Sequence, residues 1–172
     1  MSSDPTHDAS HHPLREGAVV GALGATTVAL WFLVVDAIAG RPFFTPAFLG
    51  GIVSGERDLV AAATSPGRLW HAALYTPVHY VAFAAVGVGA VALVHRAART
   101  PALFGLLLMI FLALEVAFSG FVAVLAQGGL GTLAWYQIAA GNLIAVLSMG
   151  TFLYRRHRST ARAWSRQFAG EE

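Results

Sequence analysis

The chain has 172 residues, of which 56% are hydrophobic and only 12% are charged. Soluble domains carry about 25% charged residues, so this composition, with a mean hydropathy of +0.63, predicts a membrane protein. The absence of cysteine excludes disulfide bonds and thiolate metal sites. The net charge is +2, and all eleven positive charges are arginines because the chain contains no lysine. The positions of these arginines indicate membrane topology, and nothing else in the sequence points to nucleic-acid binding.

Residues 1–16 are polar, and we expect them to form a disordered tail. After this tail the chain contains four apolar runs, each long enough for a helix that crosses a bilayer, which takes about 20 residues. These runs are residues 17–39, 68–94, 101–126 and 131–154. The sequence therefore predicts an all-α membrane protein, with a four-transmembrane-helix bundle over residues 17–154.

A signal peptide is the competing interpretation of the first apolar run. Ala37-Ile38-Ala39 matches an A-x-A cleavage pattern, and Arg15 precedes the run. The apolar segment is about 19 residues long, whereas the apolar core of a signal peptide has about 7–15 residues. Asp36 would also lie beside the cleavage point. We therefore expect the segment to be retained as the first transmembrane helix.

The connection over residues 40–67 is the longest in the chain and is too long for a simple turn. Thr45-Pro46 predicts the start of a short helix, and Ser54 is a candidate N-cap of a second one that runs towards Ala63. The segment is therefore expected to be partly structured. We interpret it as a lid on the periplasmic face of the bundle, or as a simple interfacial cover.

The distribution of arginine predicts the orientation of the helices. Eight of the eleven arginines lie on the side that holds both termini and the 95–100 loop. The side that holds the 40–67 loop carries only Arg41, Arg57 and Arg68. By the positive-inside rule, both termini are cytoplasmic. The abundance of alanine, glycine and valine, together with arginine in place of every lysine, suggests a GC-rich bacterial genome, for which this topology predicts the inner membrane.

The C-terminal segment, residues 155–172, has the pattern of a basic amphipathic helix. Arg158, Arg162 and Arg166 recur at a spacing of four, and Trp164 lies on the opposite face. Such a helix binds the anionic inner surface of a membrane. We therefore predict that these four residues anchor the cytoplasmic tail to the lipid bilayer.

The stretch HAALYTPVHY, residues 71–80, places costly polar side chains within the second apolar run. His71, Tyr75 and His79 are spaced four residues apart and share one face of a helix. Pro77 removes one backbone hydrogen bond from that helix. Ionisable residues inside a membrane helix are candidate functional groups, so this stripe predicts one wall of a buried polar cluster.

Depth along the predicted helices connects this stripe to polar residues elsewhere. His79, Glu115 and Asn142 lie on three different helices, at about 13–17 Å below the same membrane surface. We expect these side chains to face one another, with His79 paired to Glu115. Asp36 and His71 belong to a shallower level near the periplasmic end. The predicted cluster is thus open to the periplasmic side.

Known site chemistries fit this cluster poorly. No catalytic motif is visible, which favours a protein without enzymatic activity. His71 and His79 are about 12 Å apart along a helix, too far to share one metal ion. No cofactor is assigned, although a haem held by His79 is one alternative.

Two functional hypotheses follow from the sequence. The first is an accessory subunit or a binder of a lipid-like molecule such as a quinone. The second is a proton-responsive small transporter or sensor that uses His79 and Glu115. The same polar residues are also explained by a structural role, in which they form hydrogen bonds with one another and only fix the packing of the helices. The expected partners are the lipid bilayer and either another membrane protein or a second copy of the chain.

Overall fold

The computed structural model describes the backbone of residues 13–97 and 134–156, and the side chains of residues 13–94 and 136–156. All regular structure in these ranges is helical. It consists of five helices, which are α1 (Pro13–Ile38), α2 (Phe44–Ser54), α3 (Leu59–Thr64), α4 (Arg68–Ala97) and α5 (Ala134–Arg156).

Three of these helices are long and apolar enough to cross a membrane: α1, α4 and α5. They indicate a membrane protein. Helix α1 begins at Pro13, four residues before the predicted start, so residues 13–16 are helical and do not belong to a disordered tail. Proline suits the first helical position because an N–H at that position would have no acceptor within the helix. The carboxylate of Glu16 in the first turn interacts favourably with the positive end of the helix dipole. The predicted span 101–126 lies outside the described residues.

Small residues allow α1 and α4 to pack closely in antiparallel directions. Gly17 lies against the backbone of Val88, and Gly21 lies against the backbone of Phe83. On the α4 side, Gly87 contacts the backbone of both glycines of α1. A side chain at any of these positions would collide with main-chain atoms, so the close approach requires glycine.

Helix α5 also packs against α1 and is antiparallel to it. At one end, Trp31 Nε1 donates a hydrogen bond to the carbonyl of Gln137 at 2.9 Å. At the other end, Arg156 Nε lies 3.1 Å from the carboxylate of Glu16, whose side chain is only 5% exposed. Between these contacts, the three helices share a core of buried residues: Val20, Val91, Met149 and Leu153.

Helices α4 and α5 consequently run in the same direction, because each is antiparallel to α1. Both begin at the face of the bundle where α1 ends, which is the face that carries α2 and α3. Both end at the face where Glu16 and Arg156 meet.

The connection between α1 and α4 is partly structured and contains α2 and α3. The C-cap of α2 is Gly55, which has a positive φ of 75° and donates its N–H to carbonyls in the last turn of the helix. The N-cap of α3 is Asp58, whose carboxylate accepts the N–H of Ala61 at 2.9 Å. The prediction that Ser54 caps this helix is wrong, since Ser54 is the last residue of α2 and donates to the carbonyl of Gly50.

Helix α2 lies against the first turns of α4. Its buried face is made by Phe44, Ala47 and Phe48, which pack with Ala63 of α3 and Ala72 of α4. This core places α2 across one end of the bundle and leaves a cavity beneath it.

Candidate binding cavity

A cavity of about 400 Å³ lies between α1, α2, α4 and α5. This volume falls within the range of about 300–1,000 Å³ that is usual for small-molecule sites. Most of the described lining is aliphatic or aromatic, and it contains no Asp, Glu, Lys or Arg side chain. The polar residues among the lining are Thr45, Tyr75, Thr76, His79, Tyr80, Gln137 and Asn142.

His79 is the most buried of these polar groups and is 8% exposed. Its Nδ1 lies 3.2 Å from the hydroxyl of Tyr75, one helical turn earlier. Its Nε2 lies 3.0 Å from the carbonyl oxygen of Ala25 on α1. The imidazole ring also packs against Phe83, with 4.8 Å between ring centroids. His79 therefore joins α4 to α1 and holds the Tyr75 hydroxyl in place.

A second tyrosine of α4 is held to α1 in a similar way. Tyr80 Oη lies 2.9 Å from Thr26 Oγ1. The same threonine hydroxyl lies 2.8 Å from the carbonyl of Ala22, so it is anchored to its own helix. Both tyrosines that line the cavity are thus fixed by protein contacts.

Asp36 performs a structural task at the end of α1, where it is 3% exposed. One carboxylate oxygen accepts the backbone N–H of Thr45 at 2.7 Å, and the other accepts the hydroxyl of Thr45 at 2.8 Å. These contacts satisfy a donor in the first turn of α2. Arg41, the cation nearest to Asp36 in sequence, lies over the ring of Phe44 at 3.9 Å from its centroid.

His71 also serves the attachment of α2. Its Nδ1 lies 3.1 Å from the hydroxyl of Ser54, at the end of that helix. Gly50 of α2 lies against the backbone carbonyl of His71, a position that only glycine fits. Asp36 at the beginning of α2 and His71 at its end therefore hold the helix over the cavity.

The residues predicted to form one polar cluster divide into two groups. Tyr75, His79 and Asn142 line the cavity. Asp36 and His71 have their partners on α2. Glu115 and the predicted anchor lie outside the described residues; the anchor consists of Arg158, Arg162, Trp164 and Arg166. Within residues 13–97 and 134–156, no group of three histidine or acidic residues is placed to hold a metal ion.

Sequence reasoning did not identify Tyr80, Thr26 or Thr45 as part of this region. Tyr80 follows His79 directly, and on a helix it points away from the stripe formed by His71, Tyr75 and His79. The signal that identifies it is a threonine at a matching depth on the neighbouring helix. That pairing becomes visible only when the closeness of α1 and α4 is known.

Comparison of the chain with models of known protein families, with curated proteins and with solved structures finds no match. The geometry and chemistry of the cavity are therefore the basis for assigning a function.

Proposed function

We propose that this chain is a small multi-pass membrane protein without enzymatic activity that binds a lipid-like small molecule in the cavity beneath α2. The observation that carries the proposal is the cavity itself, which has a volume of about 400 Å³ and mostly apolar walls with a few fixed polar groups. Binding sites for small molecules have this composition, in which apolar walls supply affinity and a few polar groups set orientation.

Exposed apolar residues at the edge of the cavity support a ligand that arrives from the bilayer. Leu30 and Leu69 line the cavity and are each 57% exposed, and Leu33 is 36% exposed. The apolar lining thus continues onto the outer surface of α1 and α4. An acyl or isoprenoid chain that enters here keeps apolar contacts along its whole path.

The proposed topology has four transmembrane helices. The proposal of a fourth crossing between α4 and α5 is supported by their positions, since α4 ends at one face of the bundle and α5 begins at the opposite face. Residues 101–126 form an apolar run of sufficient length for this crossing. With both termini in the cytoplasm of a bacterial cell, α2 and the cavity would lie on the periplasmic side of the inner membrane.

A proton-responsive transporter or sensor remains the second functional hypothesis. It requires His79 to exchange protons with Glu115, which lies outside the described residues. Within the described residues, the partners of His79 are Tyr75 and the carbonyl of Ala25. Both contacts fix the imidazole ring beside the cavity, which supports the binding function.

The proposed function is tested by filling the cavity. Ala73 and Ala82 are both exposed alanines of α4, but only Ala73 lines the cavity. The protein and its variants Ala73→Phe and Ala82→Phe are purified from native membranes, and bound small molecules are identified by mass spectrometry. We expect one lipid-like species with the wild type and with Ala82→Phe, and its loss with Ala73→Phe. The same lipids at the same ratios in all three preparations would contradict the proposal.

A further inference from the structure

The hydroxyl groups on the α4 wall of the cavity already donate their protons in hydrogen bonds to other protein atoms. Thr76 Oγ1 donates to the carbonyl of Ala72 at 2.8 Å. Thr26 Oγ1 donates its only proton to the carbonyl of Ala22, so towards Tyr80 it acts as an acceptor. Tyr80 Oη must therefore donate in the 2.9 Å contact with Thr26.

The hydroxyl proton of Tyr75 is likewise donated within the protein, to the ring of His79. A backbone carbonyl only accepts hydrogen bonds, so Nε2 of His79 carries the proton that it donates to Ala25. In the neutral ring, Nδ1 is then an acceptor, and Tyr75 Oη donates to it. Among the described residues, His79 has no contact with an acidic side chain. A charged ring within this helix would therefore lack a counter-ion.

The hydroxyl groups of this wall can therefore accept hydrogen bonds from a ligand but cannot donate any to it. The oxygens of Tyr75, Thr76 and Tyr80 keep lone pairs after their protons are used. On the α5 wall, the amide side chains of Gln137 and Asn142 carry both donor and acceptor groups. The described lining also contains no cation that would neutralise an anionic head group.

We infer that the cavity selects a neutral amphiphile whose head group donates a hydrogen bond, a hydroxyl group being the simplest case. This inference rests on the proposed function and narrows its ligand class. A hydroxyl donates to the oxygens of the α4 wall and accepts from the side-chain amide of Gln137 on the α5 wall. An ether or a quinone carbonyl only accepts, so it leaves the α4 wall unpartnered. Of a quinone pair, the hydroquinone form therefore fits better than the oxidised form.

The test uses the full chain in lipid nanodiscs and a dodecanol analogue that carries a photoreactive diazirine on its alkyl chain. Crosslinks are mapped by mass spectrometry and competed with dodecanol, dodecyl methyl ether or dodecanoate at equal membrane concentrations. We expect crosslinks to cavity residues and the strongest competition from dodecanol. The ether should need about five- to tenfold more, which corresponds to one hydrogen bond of about 1 kcal/mol.

A variant outside the cavity lining should largely remove this preference for dodecanol over the ether. Thr26→Val removes the acceptor of the Tyr80 proton, so Tyr80 becomes a donor towards the ligand. The ether should then compete within about twofold of dodecanol. Thr151→Val is the matched control, since Thr151 is also exposed and donates to a carbonyl of its own helix. The control should keep the wild-type preference.

Each other outcome overturns a defined part of the inference. Equal competition by ether and alcohol in the wild type would refute the donor requirement, although binding in the cavity would stand. Stronger competition by dodecanoate would refute the preference for a neutral ligand. If Thr26→Val leaves the preference unchanged, the donation of the Tyr80 proton to Thr26 does not set the selectivity of the cavity. Absence of crosslinks in the cavity would refute the proposed function itself.

Discussion

Asp36, at the end of α1, accepts both the backbone N–H and the side-chain hydroxyl of Thr45, in the first turn of α2. An acidic residue inside an apolar run thus serves to hold the helix that covers the cavity. Its burial is compensated by two short hydrogen bonds.

Replacing Asp36 with alanine should detach the start of α2. The change removes both hydrogen bonds and leaves a partly buried backbone N–H without its acceptor, which corresponds to a loss of about 2–3 kcal/mol in the free energy of unfolding. Thr45→Val keeps the backbone bond, so it should be less harmful. Denaturation in detergent measures both values. Equal stability of wild type and Asp36→Ala would show that this contact does not hold α2.

Two glycines of α4 test the close packing of the bundle. Gly87 contacts the backbone of α1, whereas a side chain at Gly89 would meet no atom within 4 Å. Gly87→Ala should therefore lower the free energy of unfolding by about 1–3 kcal/mol through overpacking. Gly89→Ala should be neutral or slightly stabilising, because alanine is the better helix former. The two variants differ only in position, so equal stabilities would contradict the observed contact between α1 and α4.

The ion pair between Glu16 and Arg156 should contribute modestly to stability. Glu16 is buried, but the Arg156 side chain is 53% exposed, so solvent screens the attraction. Arg156→Met should lower the free energy of unfolding by about 1 kcal/mol, whereas Arg155→Met at the exposed neighbouring position should be near neutral. The combination of Arg156→Met with Glu16→Gln should be less harmful than the sum of the single changes. Simple additivity would mean that the pair contributes nothing.

The predicted amphipathic anchor is tested with a peptide of residues 154–172. Replacing Arg158, Arg162 and Arg166 with glutamate should abolish its binding to anionic vesicles, because each arginine near the surface contributes about 1 kcal/mol. Vesicles of neutral lipid provide the control. Binding that survives the three replacements would show that these arginines form only a solvated face.

The apolar runs predict the described membrane-length helices within a few residues, because hydrophobic length is a property of the local sequence. The same is true of the contact between Tyr75 and His79, which lie one helical turn apart. The partners of Asp36 and His71 were not predictable in this way. They depend on how α2 folds back over the bundle, which the spacing of residues within α1 and α4 does not show. Ser54 was misassigned because a serine before an acidic stretch has the pattern of an N-cap, but it ends a helix here.

The most direct test of the cavity as a ligand site is a crystal structure of the protein purified from native membranes without added ligand. We expect continuous density in the space between α1, α2, α4 and α5. The density should have a polar end within hydrogen-bonding distance of Tyr75 or Tyr80 and an apolar chain that leaves past Leu30 and Leu69. A space filled by side chains of the protein itself, or a collapsed space with α2 packed directly on His79, would contradict it.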